Sequence, residues 1–450
     1  MARAKLVYVC QQCGYRSPKW AGKCSDCNQW NTLVEEVERP EAQVDRPSLG
    51  DHAPQPITRV KPLDHPRVST GSRELDRVLG GGIVPGSVAL IGGDPGIGKS
   101  TLLLQISERI ARAGKTVLYI SAEESVYQTK LRAERLGVLS DRLLVASETN
   151  LDEIIESLRK TRPVLAIVDS IQMVYKPALP SAPGTVGQVR ECATDLVYHA
   201  KREGVSVFLV GHVTKEGSIA GPRTLEHLVD AVFYIEGDRF QAFRILRGVK
   251  NRFGSTNEIG IFEMTGSGLT EVENPSELFL SRDRAQLIGS AVVPSIVGTR
   301  PLLVEVQALT TKTHFGMPAR RVTGVDLNRT AMILAVLERR AGLQLGMNDV
   351  FVNAVGGVQV DEPAADLAVA VAVASAFQGK PVPERMMLLG EVGLAGELRA
   401  VAQAAVRLQE GQRLGFRHAV VPAGGRLEGG DGLELLRAST LRQALDGVGM

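Results

Sequence analysis

The sequence lacks an apolar run long enough to cross a membrane. A spanning helix needs about 20 apolar residues, and the longest candidate, DLAVAVAVASAF from Asp366, is much shorter and rich in alanine. That composition instead predicts a buried helix of a soluble domain. The stretch MARAKLVYVCQQC also lacks the apolar core and cleavage site of a secretory signal. We therefore expect a cytoplasmic protein with no membrane partner.

An excess of charge of one sign is also missing. The 450 residues include 52 Lys and Arg against 50 Asp and Glu, and the formal net charge is +2. A surface that is basic all over is thereby excluded, so nucleic-acid binding must come from local basic patches. The length exceeds what one ordinary hydrophobic core accommodates and predicts two or three domains.

Cysteine is scarce, and four of the five cysteines form two close pairs, Cys10-x2-Cys13 and Cys24-x2-Cys27. Such pairs supply four thiolates for a tetrahedral structural Zn²⁺. A disulfide is the alternative, but the reducing cytoplasm favours zinc. The fifth cysteine, Cys192, lies in a helical pattern and is predicted to be an inert core residue.

Only two tryptophans occur, and both Trp20 and Trp30 lie near these cysteines. We expect them to pack over the metal site, because so small a module has little other core. Stacking on a nucleobase or on a partner is the alternative interpretation.

Shifts in composition divide the chain into regions. Residues 36–66 hold six of the 22 prolines and are predicted to be a linker after a zinc module at residues 1–35. Beyond them, short β-branched runs alternate with helical patterns, which predicts a parallel sheet wrapped by helices. The runs read VALIGGD, TVLYIS, RLLVAS, VLAIVDS and SVFLVGHV. Strand-rich segments follow Gly254, so the remaining predicted domains are 67–273 and 274–450, the second also α/β.

The segment GGDPGIGKST is a phosphate-loop motif. It follows an apolar strand and opens a helix, which is the context in which backbone amides surround phosphates. Lys99 is expected to reach the β- and γ-phosphates of ATP, and Ser100 to offer its hydroxyl to Mg²⁺. The predicted nucleotide-binding residues of the loop are Gly93, Asp94, Pro95, Gly96, Ile97, Gly98, Lys99, Ser100 and Thr101.

Polar residues at three strand ends complete the predicted site. Asp169 is expected to hold the water shell of Mg²⁺, although an Asp at a strand end can simply form a turn. His212 is a candidate γ-phosphate sensor or a satisfied polar residue. Ser121 and Glu124 fit a capping box, which explains Glu124. We therefore predict that Glu123 orients and deprotonates the attacking water.

Taken in order, four features resemble the bacterial RadA (Sms) family of DNA repair and recombination proteins over essentially the whole chain. They are the knuckle Cys10–Cys27, STGSRELDRVLGGGIVPGS before the phosphate loop, KNRFG at 250–254, and the C-terminal block. The resemblance implies a RecA-like core that assembles as a ring, expected to be a hexamer, with ATP at subunit interfaces. Glu123 then matches the catalytic glutamate, whereas His212 replaces a phosphate-sensing glutamine.

The resemblance also implies that DNA binds on loops lining the central channel. KPALPSAPGTVGQVRE after Asp169 and TKEGSIAGPRTLEH after His212 follow the carboxyl ends of strands, where an α/β sheet places its ligands. Without the resemblance, their scattered cations would indicate only solvated surface. These cations are Lys176, Arg190, Lys215 and Arg223.

Residues 276–450 resemble the proteolytic domain of Lon proteases, which raises ATP-driven protein degradation as a competing function. Where that family has a nucleophilic serine and a partner lysine, this chain has Ala364 and Ala405, which offer neither nucleophile nor base. Ser375 is predicted to be a packing residue. We therefore expect an inactive scaffold for ring assembly and DNA binding. Its stretch LTTKTHFGMPARRVTG is suited to binding phosphates, although an exposed hairpin would look the same. The basic and aromatic residues of this stretch are Lys312, His314, Phe315, Arg320 and Arg321.

The segment FRILRGVKNRFG places four cations within nine residues without an acidic neighbour. Arg244 and Arg247 are predicted to lie on a solvated strand face. Strand alternation puts Lys250 and Arg252 on one face, presented by a turn at Gly254. In a RecA-like ring we expect these two cations to act catalytically on the neighbouring subunit's ATP, by stabilising charge on its γ-phosphate.

The sequence thus predicts a zinc-containing, DNA-dependent ATPase ring that moves along single-stranded DNA as a helicase-type motor. By resemblance it acts in homologous recombination and DNA damage repair, extending strands or migrating branched intermediates alongside RecA. A Lon-type protease is disfavoured because the Ser/Lys pair is missing. A DNA-independent ATP switch that binds only proteins would keep the same nucleotide site but show no stimulation by DNA.

Overall fold

The chain divides into two compact units, Met1–Glu271 and Val272–Met450, which are described separately. A computed structural model describes residues 5–10, 12, 15–38, 56, 58, 66–211, 225–237, 243–281, 286–313, 316–424 and 432–450. Within these ranges no helix is both long and apolar enough to cross a membrane.

A small antiparallel sheet forms the N-terminal module. Its strands are β1 (Lys5–Cys10), β2 (Arg16–Ser17) and β3 (Leu33–Glu38), in the order β2-β1-β3. The register pairs Cys10 with Leu33, and both belong to a small buried cluster with Cys24. Sulfur atoms therefore make up much of the interior of a module too small for a large apolar core.

A nine-stranded sheet forms the centre of the first unit. Its strands are β4 (Val88–Gly93), β5 (Val117–Ser121), β6 (Leu143–Ser147), β7 (Leu165–Asp169), β8 (Ser206–Val210), β9 (Ala231–Glu236), β10 (Phe243–Asn251), β11 (Ile259–Thr265) and β12 (Gly268–Glu271). The order is β12-β11-β10-β9-β4-β8-β7-β5-β6. The five runs predicted as strands are confirmed as β4 to β8. The six strands β9-β4-β8-β7-β5-β6 pair with their neighbours in parallel. The remaining pairs, β9-β10, β10-β11 and β11-β12, are antiparallel.

Helices pack on both faces of this sheet. Alternate residues of β4 lie in different hydrophobic clusters. Ile91 packs with helix α2 (Lys99–Arg112), whereas Leu90 packs with α4 (Leu151–Thr161) and α5 (Val186–Glu203). Cys192 is fully buried in the second cluster, as predicted. The helices are α1 (Arg73–Leu79), α2 (Lys99–Arg112), α3 (Val126–Arg135), α4 (Leu151–Thr161) and α5 (Val186–Glu203). This arrangement is the doubly wound α/β architecture expected from the alternating sequence pattern.

The second unit combines three sheets with a buried central helix. Its strands are β13 (Ser290–Val297), β14 (Arg300–Lys312), β15 (Arg320–Thr323), β16 (Asn348–Ala354), β17 (Met386–Leu388), β18 (Glu391–Val392), β19 (Leu398–Arg399), β20 (His418–Pro422) and β21 (Glu434–Ala438). They pair as β13-β14-β16-β15, β17-β20-β21 and β18-β19.

The helices of this unit are α6 (Pro275–Leu278), α7 (Leu327–Ala341), α8 (Asp366–Gln378), α9 (Ala404–Arg413) and α10 (Leu441–Gly447). Helix α8 packs on β14, and every residue from Asp366 to Ser375 is buried. The prediction of a buried helix from its alanine-rich sequence is therefore confirmed.

Candidate functional site

The phosphate loop joins β4 to α2 and depends on glycine at two positions. Gly93 has φ 147° and Gly98 has φ 115°, a region that side chains rarely adopt. A Cβ at Gly93 would lie 2.6 Å from the Ile235 carbonyl oxygen, and one at Gly98 would lie 2.7 Å from Met264 Cε. The loop can therefore turn tightly, so that the backbone amides at the N-terminus of α2 face a bound anion. This arrangement suits phosphate groups.

Lys99 begins α2 and is buried beside this loop. Its Nζ donates to the carbonyl oxygens of Gly93 at 2.8 Å and Asp94 at 3.0 Å. Burial lowers the pKa of Lys99, and the nearby carboxylates of Asp169, Glu123 and Asp94 oppose that shift. Lys99 therefore lies close enough to Glu123 and Asp169, the acidic residues predicted for the site, for their charges to act on it. Backbone carbonyls are partners that a bound phosphate could replace.

Asp169 ends β7 and is held by a residue that the sequence analysis missed. The hydroxyl of Tyr119, on the neighbouring strand β5, donates to Asp169 Oδ2. Burial, followed by the charge of Asp169, raises the pKa of Tyr119 well above its ordinary value, so the hydroxyl remains protonated. Tyr119 thus orients Asp169, one of the two residues predicted to serve Mg²⁺. The only sequence signal was a hydroxyl within an otherwise apolar strand.

Glu123 and Glu124 have different partners. Ser170, directly after β7, donates its hydroxyl to Glu123 Oε1, while Glu123 itself remains exposed. Glu124 instead forms an ion pair with Arg132 of α3. The carboxylate of Glu123 is therefore oriented beside Lys99 and Asp169, whereas Glu124 is paired with a residue of α3.

The predicted capping box at Ser121 is wrong. Ser121 Oγ does accept a hydrogen bond from the Glu124 amide, at 3.1 Å, but no helix begins there. Helix α3 starts later, with Ser125 as its N-cap and Gln128 completing the box. The ion pair with Arg132 still gives Glu124 a structural role. The assignment of Glu123 as the catalytic base therefore depends on this ion pair and not on a capping box.

Arg244 is not on a solvated strand face, and that prediction is wrong. The side chain is buried, and its Nε donates to the carbonyl oxygen of Ile97 in the phosphate loop at 3.1 Å. Arg247, on the same strand, is partly exposed beside Glu236 at 3.4 Å, which agrees with a solvated face. A buried cation needs hydrogen-bond acceptors, and here the loop backbone supplies one of them.

Lys250 and Arg252 contact one segment of their own chain, at residues 226–230. Lys250 Nζ donates to the carbonyl oxygens of Glu226 at 2.6 Å and Val229 at 2.8 Å, and Arg252 Nη1 lies 3.2 Å from Asp230 Oδ1. Burial, and then the charge of Arg252, lowers the pKa of Lys250. The two cations therefore contact neighbouring residues of their own chain, and Arg252 lies just beyond the end of β10.

Several other predicted DNA contacts differ in their surroundings. Lys176 is paired with Asp195 at 2.6 Å, whereas Arg190 is exposed on α5. Arg320 donates to backbone carbonyls, including that of Leu345 at 3.1 Å, while Lys312 and Arg321 are exposed. The predicted residues that lie outside the described ranges are Cys13, His212, Lys215, Arg223, His314 and Phe315.

The described cysteines of the N-terminal module form a cluster that fits a zinc ion. The Sγ atoms of Cys10, Cys24 and Cys27 all lie within 4.8 Å of one another. Cys10 and Cys27 are 3.6 Å apart, close to the ~3.8 Å that tetrahedral zinc–thiolate geometry implies. This distance is far too long for a disulfide bond. The prediction that the tryptophans pack over the metal site is wrong, because Trp20 and Trp30 are 59% and 69% exposed.

The positions matched to the Lon nucleophile and base lack reactive groups. Ala364 is buried in a hydrophobic cluster against which Ala404, the residue beside Ala405, also packs. Next to it, Glu362 accepts hydrogen bonds from Arg407 at 2.6 and 2.5 Å. Although burial alone would raise it, the pKa of Glu362 lies below its ordinary value because Arg407 and Ser295 donate to it. The charged side chains on either side of Ala364 are engaged in internal ion pairs, Glu362 with Arg407 and Asp366 with Arg329.

Ser375 is fully buried in α8. Its Oγ accepts from the Gly289 amide at 2.8 Å and donates to the Lys380 carbonyl oxygen at 2.5 Å. It is therefore a packing residue that also joins two segments of backbone.

The chain is similar over nearly its whole length to proteins named DNA repair protein RadA. It is 52% identical to that of Halalkalibacterium halodurans and 51% identical to that of Bacillus subtilis, in each case over 99% of both chains. It is 49% identical to that of Streptococcus pyogenes over 100% of both chains. The chain belongs to the RadA family. The resemblance inferred from the sequence is thereby confirmed.

Three domain families match separate parts of the chain. Residues 8–35 match a rubredoxin metal binding domain, residues 54–218 an AAA domain, and residues 306–425 subunit ChlI of Mg-chelatase. Among solved structures, the RadB recombinase is 24% identical, with a TM-score of 0.36 over 46% of this chain and 100% of that one. The predicted fold class is confirmed as α/β, with an N-terminal zinc ribbon, a P-loop ATPase core and a Lon-like C-terminal domain.

Proposed function

We propose that this RadA-family chain is a cytoplasmic, DNA-dependent ATPase of homologous recombination and DNA repair. It assembles as a ring, a hexamer, and moves along single-stranded DNA to migrate branches or extend strands alongside RecA. The observation that carries the proposal is the convergence of Lys99, Glu123 and Asp169 at the carboxyl ends of β4, β5 and β7. The segments expected to contact DNA follow the ends of β7 and β8, so hydrolysis and DNA binding would occur at the same edge of the sheet.

Each residue of the nucleotide site has a proposed role. The loop amides and Lys99 bind the phosphates of ATP, and Ser100 and Asp169 hold Mg²⁺, which when bound neutralises charge on those phosphates. Tyr119 orients Asp169 through its hydrogen bond. Glu123, oriented by Ser170, positions the attacking water and accepts its proton. His212 follows β8 and is proposed to sense the γ-phosphate.

Lys250 and Arg252 are proposed to act on ATP bound by the neighbouring subunit. Both contact residues 226–230, which overlap the end of the segment expected to bind DNA after β8, residues 214–227. A cation supplied in trans at the γ-phosphate accelerates other phosphoryl transfers by about 10³–10⁵. Lys250 and Arg252 would leave residues 226–230 when they contact the neighbour's ATP. Hydrolysis would then be coupled to movement of the segment expected to bind DNA.

Mixed rings test this role. Subunits carrying Lys250→Ala, mixed with subunits carrying Lys99→Ala, should recover part of the turnover, because some interfaces combine an intact phosphate loop with an intact Lys250. Arg247→Ala, which removes an exposed cation from the same strand, should keep turnover by itself. If the mixture stays inactive despite demonstrated co-assembly, the two cations act within their own chain.

Hydrolysis of ATP by the full-length protein, measured with and without single-stranded DNA, tests the proposed function. We expect DNA to stimulate turnover, and Lys99→Ala to abolish both the basal and the stimulated rates. An unchanged rate at DNA concentrations that saturate binding would favour the DNA-independent switch and overturn the motor.

Proteolysis is the weaker alternative. The position matched to the Lon nucleophile is the buried Ala364, and the hydroxyl of Ser375 is hydrogen-bonded to backbone. We therefore expect no cleavage of an unfolded protein substrate with or without ATP. Cleavage that disappears in Ser375→Ala would restore the protease.

We also propose that Cys10, Cys13, Cys24 and Cys27 hold one structural Zn²⁺. The three described sulfur atoms have the spacing of tetrahedral thiolate ligands. Metal analysis should find about one zinc per chain. Cys10→Ala should lose it, whereas Cys192→Ala, a change in the ATPase core, should retain it. Zinc that persists in Cys10→Ala would place the ion elsewhere.

A further inference from the structure

The zinc module exposes both tryptophans of the chain. Trp20 is 59% and Trp30 is 69% exposed, and no other tryptophan occurs in the 450 residues. Leaving two large aromatic surfaces in water forgoes the stabilisation that their burial would bring. Exposed apolar surface of this kind is typical of a binding site.

The two indole rings border one spot on the module, the α-carbon of Gly22. A Cβ built there would lie 3.7 Å from Trp30 Cζ3 and 3.8 Å from Trp20 Cη2. The two ring atoms are therefore less than about 7.5 Å apart, the sum of those distances. At that distance or closer, the two rings present neighbouring aromatic surfaces on which a base can stack. Because Gly22 has no side chain, that residue does not cover the rings.

Backbone hydrogen bonds hold Trp30 on the cysteine knuckle. Lys23 and Trp30 form an antiparallel bridge, and the Asn31 amide donates to the Gly22 carbonyl oxygen at 2.8 Å. Inside that bridge, the Cys24 amide donates to the Gln29 carbonyl oxygen at 2.9 Å. The backbone of Trp30 is thus fixed by the same turn that presents Cys24 and Cys27.

The charge around the pair is positive. Lys19 and Lys23 are exposed, and Lys23 Nζ lies 5.9 Å from the centre of the Trp30 ring. The stretch from Tyr15 to Trp30 contains three basic residues, Arg16, Lys19 and Lys23, against one acidic residue, Asp26. An aromatic platform with adjacent lysines matches the two parts of a single-stranded nucleic acid, because bases stack on the rings and phosphates pair with the cations.

We propose that Trp20, Trp30 and the lysines beside them bind unpaired bases of single-stranded DNA. This contact is separate from those of the ATPase core, and it goes beyond the proposed function by giving the zinc module a ligand of its own. The metal sets the geometry of the platform and does not touch the DNA. Stacking accepts any base, so the site selects unpaired strands and not a sequence.

Tryptophan emission of the full-length protein reports on this module alone. Short oligo(dT) should quench it, whereas an abasic strand of equal length and charge, or duplex DNA of the same length, should not. Trp30→Ala should weaken the binding of short oligo(dT) about tenfold or more, and Trp30→Phe, which keeps an aromatic face, should restore most of it. Val34→Ala, at another exposed apolar position of the module, should bind as the unchanged protein does.

Zinc content, measured for every variant, establishes that the module is folded. Equal quenching by the abasic strand would overturn the proposal in favour of a purely electrostatic contact. Unchanged emission under conditions where oligo(dT) stimulates ATP hydrolysis would also overturn it, leave the proposed function standing, and make the exposed pair a docking surface for protein. If hydrolysis showed no response to DNA while emission was quenched, the proposed motor would fail and this site would stand.

Discussion

The ATPase core and the C-terminal unit are both α/β structures, but their polar side chains serve different ends. In the core, Lys99 is bonded to backbone carbonyls that a phosphate can replace, and it lies near Glu123 and Asp169. In the C-terminal unit, Ala364 occupies the matched catalytic position inside a hydrophobic cluster. A shared fold class therefore does not imply shared chemistry, because the reaction depends on groups placed at one edge of the fold.

Arg407 makes the contrast explicit. Its guanidinium donates to both oxygens of Glu362 and to the carbonyl oxygens of Pro294 and Ala402, each at 2.9 Å. These contacts join helix α9 to strand β13 and to the turn that carries Ala364. Substitutions should consequently reduce activity in the core and stability in the C-terminal unit.

The largest effect is expected for Lys99→Ala. Removing the phosphate-binding charge should lower ATP turnover by about 10³-fold or to background, while thermal unfolding changes little. The exposed Lys115 provides the matched control, since Lys115→Ala should keep normal turnover. Normal hydrolysis in Lys99→Ala would remove the nucleotide site from this loop.

Glu123→Gln should come next, with turnover lowered about 10²-fold because the amide cannot accept the proton of water. ATP binding, measured by titration with a fluorescent analogue, should persist. Glu124→Gln disturbs only the ion pair with Arg132 and should have a far smaller effect. A reversal of the two effects would transfer the role of base to Glu124.

Arg407→Ala should mainly destabilise the C-terminal unit, by ~3 kcal/mol, because it leaves the carboxylate of Glu362 without its partner. Chemical denaturation measures this loss. Arg413→Ala, on the same helix but in an exposed pair with Glu410, should cost less than ~1 kcal/mol. Equal stability of the two variants would mean that the buried pair is not a structural link.

Tyr119→Phe should have the smallest effect. It removes one hydrogen bond to Asp169 and keeps the buried ring, so turnover should fall only about fivefold, as expected for ~1 kcal/mol. A higher Mg²⁺ concentration should be needed for half-maximal rate, because Asp169 is less well oriented. Tyr127→Phe, at an exposed tyrosine of α3, should change neither quantity. An unchanged Mg²⁺ requirement in Tyr119→Phe would limit the tyrosine to packing.

Local patterns in the sequence were sufficient for the strands β4 to β8, the phosphate loop, the cysteine pairs and the buried helix α8. Each depends on neighbouring residues, such as an apolar run, glycines at fixed spacing or an alanine-rich stretch. The same patterns indicated that Lys99, Glu123 and Asp169 would meet, because the carboxyl ends of parallel strands share one edge of a sheet.

Contacts between distant residues were decided only by the tertiary structure. Arg244 is separated from Ile97 by 147 positions and Tyr119 from Asp169 by 50, so neither pair leaves a local pattern. The start of α3 at Ser125, the exposure of both tryptophans and the pairing of Lys250 and Arg252 with residues 226–230 are of the same kind. A side chain's burial and partners depend on which elements pack beside it, whereas the sequence alone determined which elements form and which chemical groups lie at their ends.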